Sequence, residues 1–413
     1  MTAILQRSEA PSTAAYMSAI IDTSCLENQL LLCCARTEIP AQIARQIQQL
    51  SAQAIDWQYL LKLAADHEVK PLLFQALNTT CPNDVPTAVL DQLRQFFYGN
   101  TAHNLLKTKE LLNLLSILKE NNVAAIPFKG PVLAVKAYGK VAFRDFCDLD
   151  FLIRKQDIFK TKDLILAQGT YQLTSHTPLN TTHELMYSRA ACEFSFVDYE
   201  RHIAIEPHWE FTQKKHCISL DIESVWRRQQ KIVLEGERVP TFSIEDSLLI
   251  VCINGAKDQW RKVKTICDVA ELIRSHPDID WFLLIEESQK VGCKRIVLLG
   301  ILLANRVLGA AIPAPVSVHV KNDSRALDML LNQVVQALFS DDRLPRKSVG
   351  ANFSLWNLQV RERFVDKVRY CSNLVFGPNE GDVEFVSLPP AFAWMYLFIR
   401  PIRLVTRWAV SFL

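Results

Sequence analysis

Asp148 and Asp150 stand two residues apart in the run Asp148-Leu149-Asp150-Phe151-Leu152-Ile153, which is short and apolar enough to be a strand. On a strand both carboxylates face the same side, about 7 Å apart at the backbone, and Leu149 and Phe151 turn to the core. Two like charges held that close need a cation, and paired hard oxygen ligands suit Mg²⁺ together with substrate phosphates. Further on, His202, Ala204, Glu206 and His208 alternate with Ile203, Ile205, Pro207 and Trp209, so Glu206 sits on a polar face as a candidate third carboxylate. Three carboxylates around one or two Mg²⁺ fit in-line transfer at phosphorus. One metal activates the attacking hydroxyl and the other neutralises leaving pyrophosphate. Lys129-Gly130 supplies the phosphate side: the turn opens a helix whose free N–H groups can hold phosphate oxygens, with Lys129 as an added charge. Each piece alone has a plainer reading. These are a solvated strand edge, an ordinary turn, a turn cap at Glu206 and a satisfied half-buried histidine at His208. It is their order along the chain that points to chemistry.

The elements that must position these residues form a small mixed segment between helical ones. Apolar residues recur at helical spacing from Glu27 to about Leu118, with a break at Cys81-Pro82-Asn83, a helix over Thr87–Phe97 and another over Thr101–Asn121 through Leu105, Leu106, Leu111, Leu112, Leu115 and Leu118. Val123–Phe128 reads as a buried strand, Pro131–Tyr138 as a short helix with proline at its first position, and Gly139–Cys147 as a loop. After the Asp148–Ile153 strand come a helix over Gln156–Ala167 and strands near Tyr171–Thr174, Cys192–Val197 and His202–His208. From about Ile218 helices return, including Ser243–Lys257, Lys262–Ser275, Phe282–Val291 and Lys294–Leu308. The fold class expected is α+β, a small mixed sheet embedded in a mainly helical chain. Its parts are a tail at 1–26, a helical region at 27–121, a catalytic core at 122–215, a helical domain at 216–340 and a C-terminal region at 341–413.

Composition agrees. Twelve glycines in 413 residues, roughly 3% against about 7% on average, argue against a loop-rich all-β chain. A net charge of +2 is too even for the basic footprint of a protein dedicated to long nucleic acid, so any polyanion handled is small or met at a local site. Eleven cysteines without a CxxC pair read as buried reduced thiols. The first residues lack the apolar core of a signal peptide, which places the expected location in the cytoplasm. No 18-residue charge-free apolar stretch marks a membrane span. The stretch 390–413, with Trp394, Tyr396, Trp408, Arg400, Arg403 and Arg407, reads either as a terminal helix docked on the body and interrupted by Pro401 or as a peripheral membrane contact.

Phe128-Lys129-Gly130, Tyr138, Arg144, Asp148-Leu149-Asp150 and Glu206-Pro207-His208-Trp209 together resemble nucleotidyltransferases of the polymerase-β-like superfamily, mostly bacterial proteins. The likeness extends to Trp57–Leu73, to Asn254–Lys257 with Cys267–Leu272, and to Leu388-Pro389 with Arg400–Leu404, so it covers roughly 30–405. The resemblance implies that Asp148, Asp150 and Glu206 hold a two-metal Mg²⁺ site and that Lys129 and Gly130 contact a nucleoside triphosphate. It further implies that Arg144 steadies the phosphates or the carboxylate loop, and that Lys257 and Asp268 contact nucleotide or acceptor. Arg144 has a second reading, an ion pair with Asp145 or Asp148. Two departures stand out: Pro131 replaces the usual serine at the turn, and the third acid is Glu206 where aspartate is common. The function expected is transfer of a nucleoside monophosphate from an NTP to a hydroxyl or phosphate on a small-molecule or protein acceptor. Two alternatives are a non-catalytic scaffold in polysaccharide or peptide-product biosynthesis and an Asp-x-Asp glycosyltransferase.

Overall fold

Apolar residues at three- and four-residue spacing, interrupted by few glycines, make most of the chain helical. The computed structural model describes residues 25–174, 188, 191–213, 218–339, 355–377, 382, 385–386, 388 and 390–410. The tail expected over 1–26 lies outside them as far as residue 24, as do Cys217 and the side chains of Arg407 and Trp408.

The described chain opens with α1 (Leu26–Cys34), α2 (Ala41–Ser51), α3 (Trp57–Asp66) and α4 (Lys70–Thr80), followed by α5 (Thr87–Glu120). α5 is one helix of 34 residues where the sequence reads as two. Gly99 does not break it, because an interior glycine costs only about 1 kcal/mol against alanine and packing on both halves outweighs that. Its two halves serve different cores: Val89, Leu90 and Leu93 enter the helical body, while Leu111, Leu114 and Leu118 cover the sheet. Between them Asn104, Lys107 and Thr108 are buried, whereas Leu105 and Leu106, expected in the apolar stripe, are exposed.

The sheet has five strands. β1 (Ala125–Pro127) leads through α6 (Gly130–Tyr138) to β2 (Asp148–Ile153), and α7 (Ile158–Leu166) leads on to β3 (Gln172–Leu173), β4 (Phe196–Asp198) and β5 (Ile203–His208). The spatial order is β1-β2-β5-β4-β3, with β2 parallel to β5 and the other pairs antiparallel. Strand alternation decides what each face carries. Leu149, Phe151, Ile203 and Ile205 pack beneath α5 and α7, in the cluster that holds Leu111, Leu114 and Ile158. Asp148, Asp150, Glu206 and His208 therefore share the other face, bordered by Leu152 with Ile126, Phe128, Phe211 and Phe242.

After α8 (Ile222–Arg227) the chain makes a hairpin, β6 (Gln230–Leu234) and β7 (Glu237–Thr241), in a stretch expected to be helical. Glu235 and Gly236 at its tip both have positive φ, 48° and 85°, as the favoured two-residue hairpin turn requires. The inward alternation of Ile232, Leu234, Val239 and Thr241 is the matching strand signal. α9 (Ile244–Lys257), α10 (Val263–Ser275), α11 (Trp281–Lys290) and α12 (Lys294–Leu308) lie within a residue of the expected helices, and α13 (Ala314–Asn322) and α14 (Ser324–Phe339) follow. Leu31, Leu60 and Leu73 share one buried core with Leu249, Leu272, Leu299 and Leu330, so helices from both sides of the sheet segment close on each other.

α15 (Phe364–Phe376) and α16 (Tyr396–Val410) pack together. Pro401 does not interrupt α16, contrary to the sequence reading; the hydrogen bond it forfeits is the one to the carbonyl of Leu397, an exposed residue. The helix docks through Tyr396, which donates to the Val386 carbonyl, and Arg400, which donates to that of Leu374. No helix among the described residues is long and apolar enough to cross a membrane. The ten described cysteines are free thiols, buried except for Cys25, Cys147 and Cys371.

The bundle that carries α9 and α10 is locked by Trp260, fully buried between two glycines. A Cβ on Gly255 would lie 2.6 Å from its ring, and one on Gly300 2.6 Å from Cys252 Sγ and 2.8 Å from the same ring. Gly300→Ala should therefore destabilise by about 1–3 kcal/mol through overpacking, despite the better helix propensity of alanine. Thermal denaturation should show a lowered midpoint.

Candidate functional site

The site begins at the end of β1, where the chain turns through Lys129 into α6. Gly130 has φ +53°, and a Cβ there would sit 2.9 Å from the Asp148 carbonyl oxygen. Only glycine lets α6 start this close to the start of β2. Pro131 occupies the first turn of α6, where its missing N–H costs no helical hydrogen bond. This approach brings the Lys129 Nζ to 2.8 Å from Asp150 Oδ1.

The parallel pairing of β2 with β5 does the rest. Its register sets Asp150 opposite Glu206, with Asp148 opposite Ala204. Asp150 is 1% exposed, and its Oδ1 receives Lys129 and, at 3.0 Å, His208 Nε2. Asp150 Oδ2 is buried and has no hydrogen-bond partner among the described residues. His208 Nδ1 lies 2.9 Å from Glu193 Oε2, and His208 Nε2 lies 3.9 Å from Glu206 Oε2. Ligand atoms of Asp150, Glu206 and His208 lie within 4.8 Å of one another, and so do those of Cys192, Glu193 and His208.

So many charges out of water must balance one another. Burial pushes Asp150 up, but Lys129 and His208 outweigh it and hold the carboxyl well below the usual range. Burial works against the Lys129 ammonium, yet Asp150 and Asp148 keep it charged. Asp148 is raised by Asp150 and by burial, with Lys129, Arg144 and Lys264 pulling the other way. Glu206 is pushed up to about 7 by burial and by Asp150, Glu193 and Asp148. Burial raises Glu193, but His208, Lys257 and Lys129 together bring it to about 2. His208, disfavoured as a cation by burial, is nonetheless raised well above its ordinary value by Asp150, Cys192 and Glu193. It is therefore an imidazolium, a counter-charge between two acids, and both its ring nitrogens face carboxylates.

Arg144 pairs with neither Asp145 nor Asp148. Its Nε and Nη2 donate to Asp268 Oδ1 and Oδ2 at 2.8 and 3.0 Å, and Tyr138 Oη donates to Asp268 Oδ1 at 2.7 Å. Arg144 is 8% exposed and Asp268 3%, so the two candidates for nucleotide contact are engaged with each other. The reason is physical: a buried guanidinium needs a planar acceptor, and the bidentate carboxylate on α10 is it. The pair ties the loop before β2 to the helical body. Lys257, on α9, adds its charge at Glu193 and Cys192.

Four contributors escape a reading by motif. Glu193 orients His208 from an isolated bridge outside the named strands. Asn104 Nδ2 donates to the carbonyls of Val141 and Arg144 at 2.8 and 2.9 Å, and Lys107 Nζ donates to that of Phe146. Lys264 pairs with Glu68 and donates to the Asp145 carbonyl at 3.2 Å. Asn104, Lys107 and Lys264 together clamp the loop that delivers Asp148. The one available signal is the polar gap in the apolar stripe of α5 at Asn104, Lys107 and Thr108.

Asp268→Asn, which leaves the Arg144 charge buried without its partner, should cost about 3–5 kcal/mol in denaturant unfolding. Glu206 binds its proton more tightly folded than unfolded, so it favours folding at low pH and this contribution is lost as pH rises toward and through about 7. Thermal midpoints measured from pH 5 to pH 8 should therefore fall relative to those of Glu206→Gln, in which this titration is absent.

None of the curated proteins compared with the chain matches it. A family model described as uncharacterised nucleotidyltransferase matches residues 53–309, more than half of the chain, and spans Lys129, Asp148, Asp150, Glu206, Lys257 and Asp268. The acid cluster, the lysine turn and the Arg144–Asp268 pair all fall inside the match, and the chain belongs to this family of uncharacterised nucleotidyltransferases.

Proposed function

We propose that the chain is an Mg²⁺-dependent nucleotidyltransferase of the polymerase-β-like superfamily that moves a nucleoside monophosphate from an NTP to a hydroxyl or phosphate on a small-molecule or protein acceptor. The observation that carries this reading is the pairing of Asp150 with Glu206 across β2 and β5, with a buried Asp150 oxygen that no side chain or backbone group among the described residues satisfies. An acceptor oxygen attacks the α-phosphorus, the bond between that phosphorus and the bridging oxygen breaks, and pyrophosphate leaves. Asp148, Asp150 and Glu206 are the ligands that fit Mg²⁺, all hard oxygens on one sheet face. When bound, the metal lowers the pKa of the attacking hydroxyl and neutralises charge on the leaving group.

The chain's own residues position and neutralise. Lys129 balances Asp150 and, on a flexible four-carbon stem beside the start of α6, is placed to serve phosphate oxygens as well. Gly130 keeps that helix end against β2, and the Arg144–Asp268 pair keeps the loop before β2 in place. Glu206 must lose its proton to ligate, so metal affinity should rise as pH passes through about 7.

The test is incubation of purified protein and Mg²⁺ with each α-³²P-labelled NTP and an extract as acceptor source. Label should move to an acceptor with one NTP preferred. Asp148→Ala or Asp150→Ala should slow transfer by at least about 10²-fold, the loss expected when a contact worth several kcal/mol in the transition state is removed. Absence of NTP binding in the presence of Mg²⁺ defeats the reading at its first step, and an Asp150→Ala protein that keeps its cellular role favours the scaffold alternative.

A further inference from the structure

Among the described residues from Arg361 to Arg403, charged side chains lie inside and large apolar ones outside. Arg361, Asp366, Asp382 and Arg400 are buried, while Phe364, Phe376, Phe392, Trp394, Phe398 and Ile402 are exposed, each by half or more. The polar interior is closed on itself. Arg400 Nη1 and Arg403 Nε reach the two oxygens of Asp382 at 3.1 and 2.7 Å, and the Arg361 guanidinium lies 4.4 Å from the centre of the Tyr370 ring. Arg400 and Arg403 of α16 thus point in, while its Leu397, Phe398 and Ile402 point out. On α15 the exposed Phe364, Val365, Val368, Val375 and Phe376 recur at helical spacing and so form one face.

We propose that this face, made by α15, the 390–395 turn and the start of α16, docks on the surface of an anionic lipid bilayer. The inference is independent of the transfer reaction proposed above. Charge selects the occupant. The one acid of α15, Asp366, is buried, and the helix's solvent-facing charges, Lys367 and Arg369, are cationic. From residue 385 to residue 413 the sequence has no Asp or Glu, and its Arg400 and Arg403 are already paired with Asp382. No carboxylate in that stretch repels a phosphate headgroup, and Phe392, Trp394 and Phe398 are the ring types that settle at the headgroup level. With no helix among the described residues able to cross a bilayer, the geometry is that of a face lying in the interface. A second copy of the chain fits less well, because a two-fold contact through this patch sets Lys367 and Arg369 near their own copies.

The experiment is co-sedimentation of the full chain with vesicles of phosphatidylcholine alone and of phosphatidylcholine mixed with phosphatidylglycerol, at low and high salt. The protein should pellet with the mixed vesicles and be weakened by salt. Trp394→Glu and Phe398→Glu should each reduce binding about tenfold, with unchanged thermal midpoints because both side chains are exposed. The proposal is overturned by protein that stays in the supernatant with both vesicle types, by equal binding to neutral and anionic vesicles, or by variants that bind as well as the parent. It is equally overturned by a dimer in solution that Phe398→Glu converts to monomer, which would assign the face to a second copy.

Discussion

A carboxylate almost wholly shielded from water, Asp150, is the constraint from which the rest of the site follows. Buried alone it would take up a proton or unfold its surroundings, so the fold must bring cations to it. Lys129 comes from the turn after β1, and that turn closes only because Gly130 has no side chain to strike the Asp148 carbonyl. His208 comes from two residues past the one opposite Asp150 on β5, and its charge in turn needs Glu193 on its other nitrogen. Each neutralising group creates the demand for the next, which explains why Lys129, Asp148, Asp150, Glu193, Glu206 and His208 gather on one side of a sheet whose other side packs Leu149, Phe151, Ile203 and Ile205.

The same logic sets the scaffold around the face. A loop between Gly139 and Cys147 delivers Asp148, and a free loop would not hold a carboxylate against the repulsion of a second one. Asn104, Lys107 and Lys264 take its carbonyls, and Arg144 anchors it to Asp268 on a helix of the other core. α5 therefore does two jobs in one helix: apolar residues at either end pack separate cores, and polar ones in the middle hold the loop. This division explains why Asn104, Lys107 and Thr108 are buried while Leu105 and Leu106, read as part of the apolar stripe, are exposed.

What the sequence makes legible is local. β2 is readable residue for residue from the run Asp148–Ile153, and the shared face of Asp148 and Asp150 follows from a period of two that needs no knowledge of the partner strand. The helices α9 to α12 are equally readable, because their buried stripes repeat within each helix. The Arg144–Asp268 pair joins residues 124 apart, and nothing around either residue encodes the other; the local sequence offers Arg144 only Asp145 and Asp148 as partners until the two cores are assembled. His208 is legible as a buried histidine but not as an imidazolium, since its charge state depends on Glu193 reaching it from a bridge outside the regular strands. The hairpin at β6 and β7 is short enough for its alternation to pass for part of a helix, and only the paired positive φ values at Glu235 and Gly236 settle it.

The near-neutral charge of the whole chain also takes on a different sense. A total of +2 leaves no large basic excess, yet cations are concentrated around Asp148, which feels Lys129, Arg144 and Lys264 at once. On the proposed reading this concentration bears on the proline at position 131. A serine there would give a phosphate one hydroxyl and one N–H, and Pro131 gives neither. A hydrogen bond to a charged group such as a phosphate contributes about 1.5–3 kcal/mol, so both missing donors count. What the turn keeps for a phosphate on this reading is Lys129, already paired with Asp150, so the departure from the usual turn moves phosphate recognition from shaped hydrogen bonds toward a point charge. Such a site gains tolerance of phosphate position and loses geometric selectivity, and selectivity must then come from whatever contacts the rest of the nucleotide.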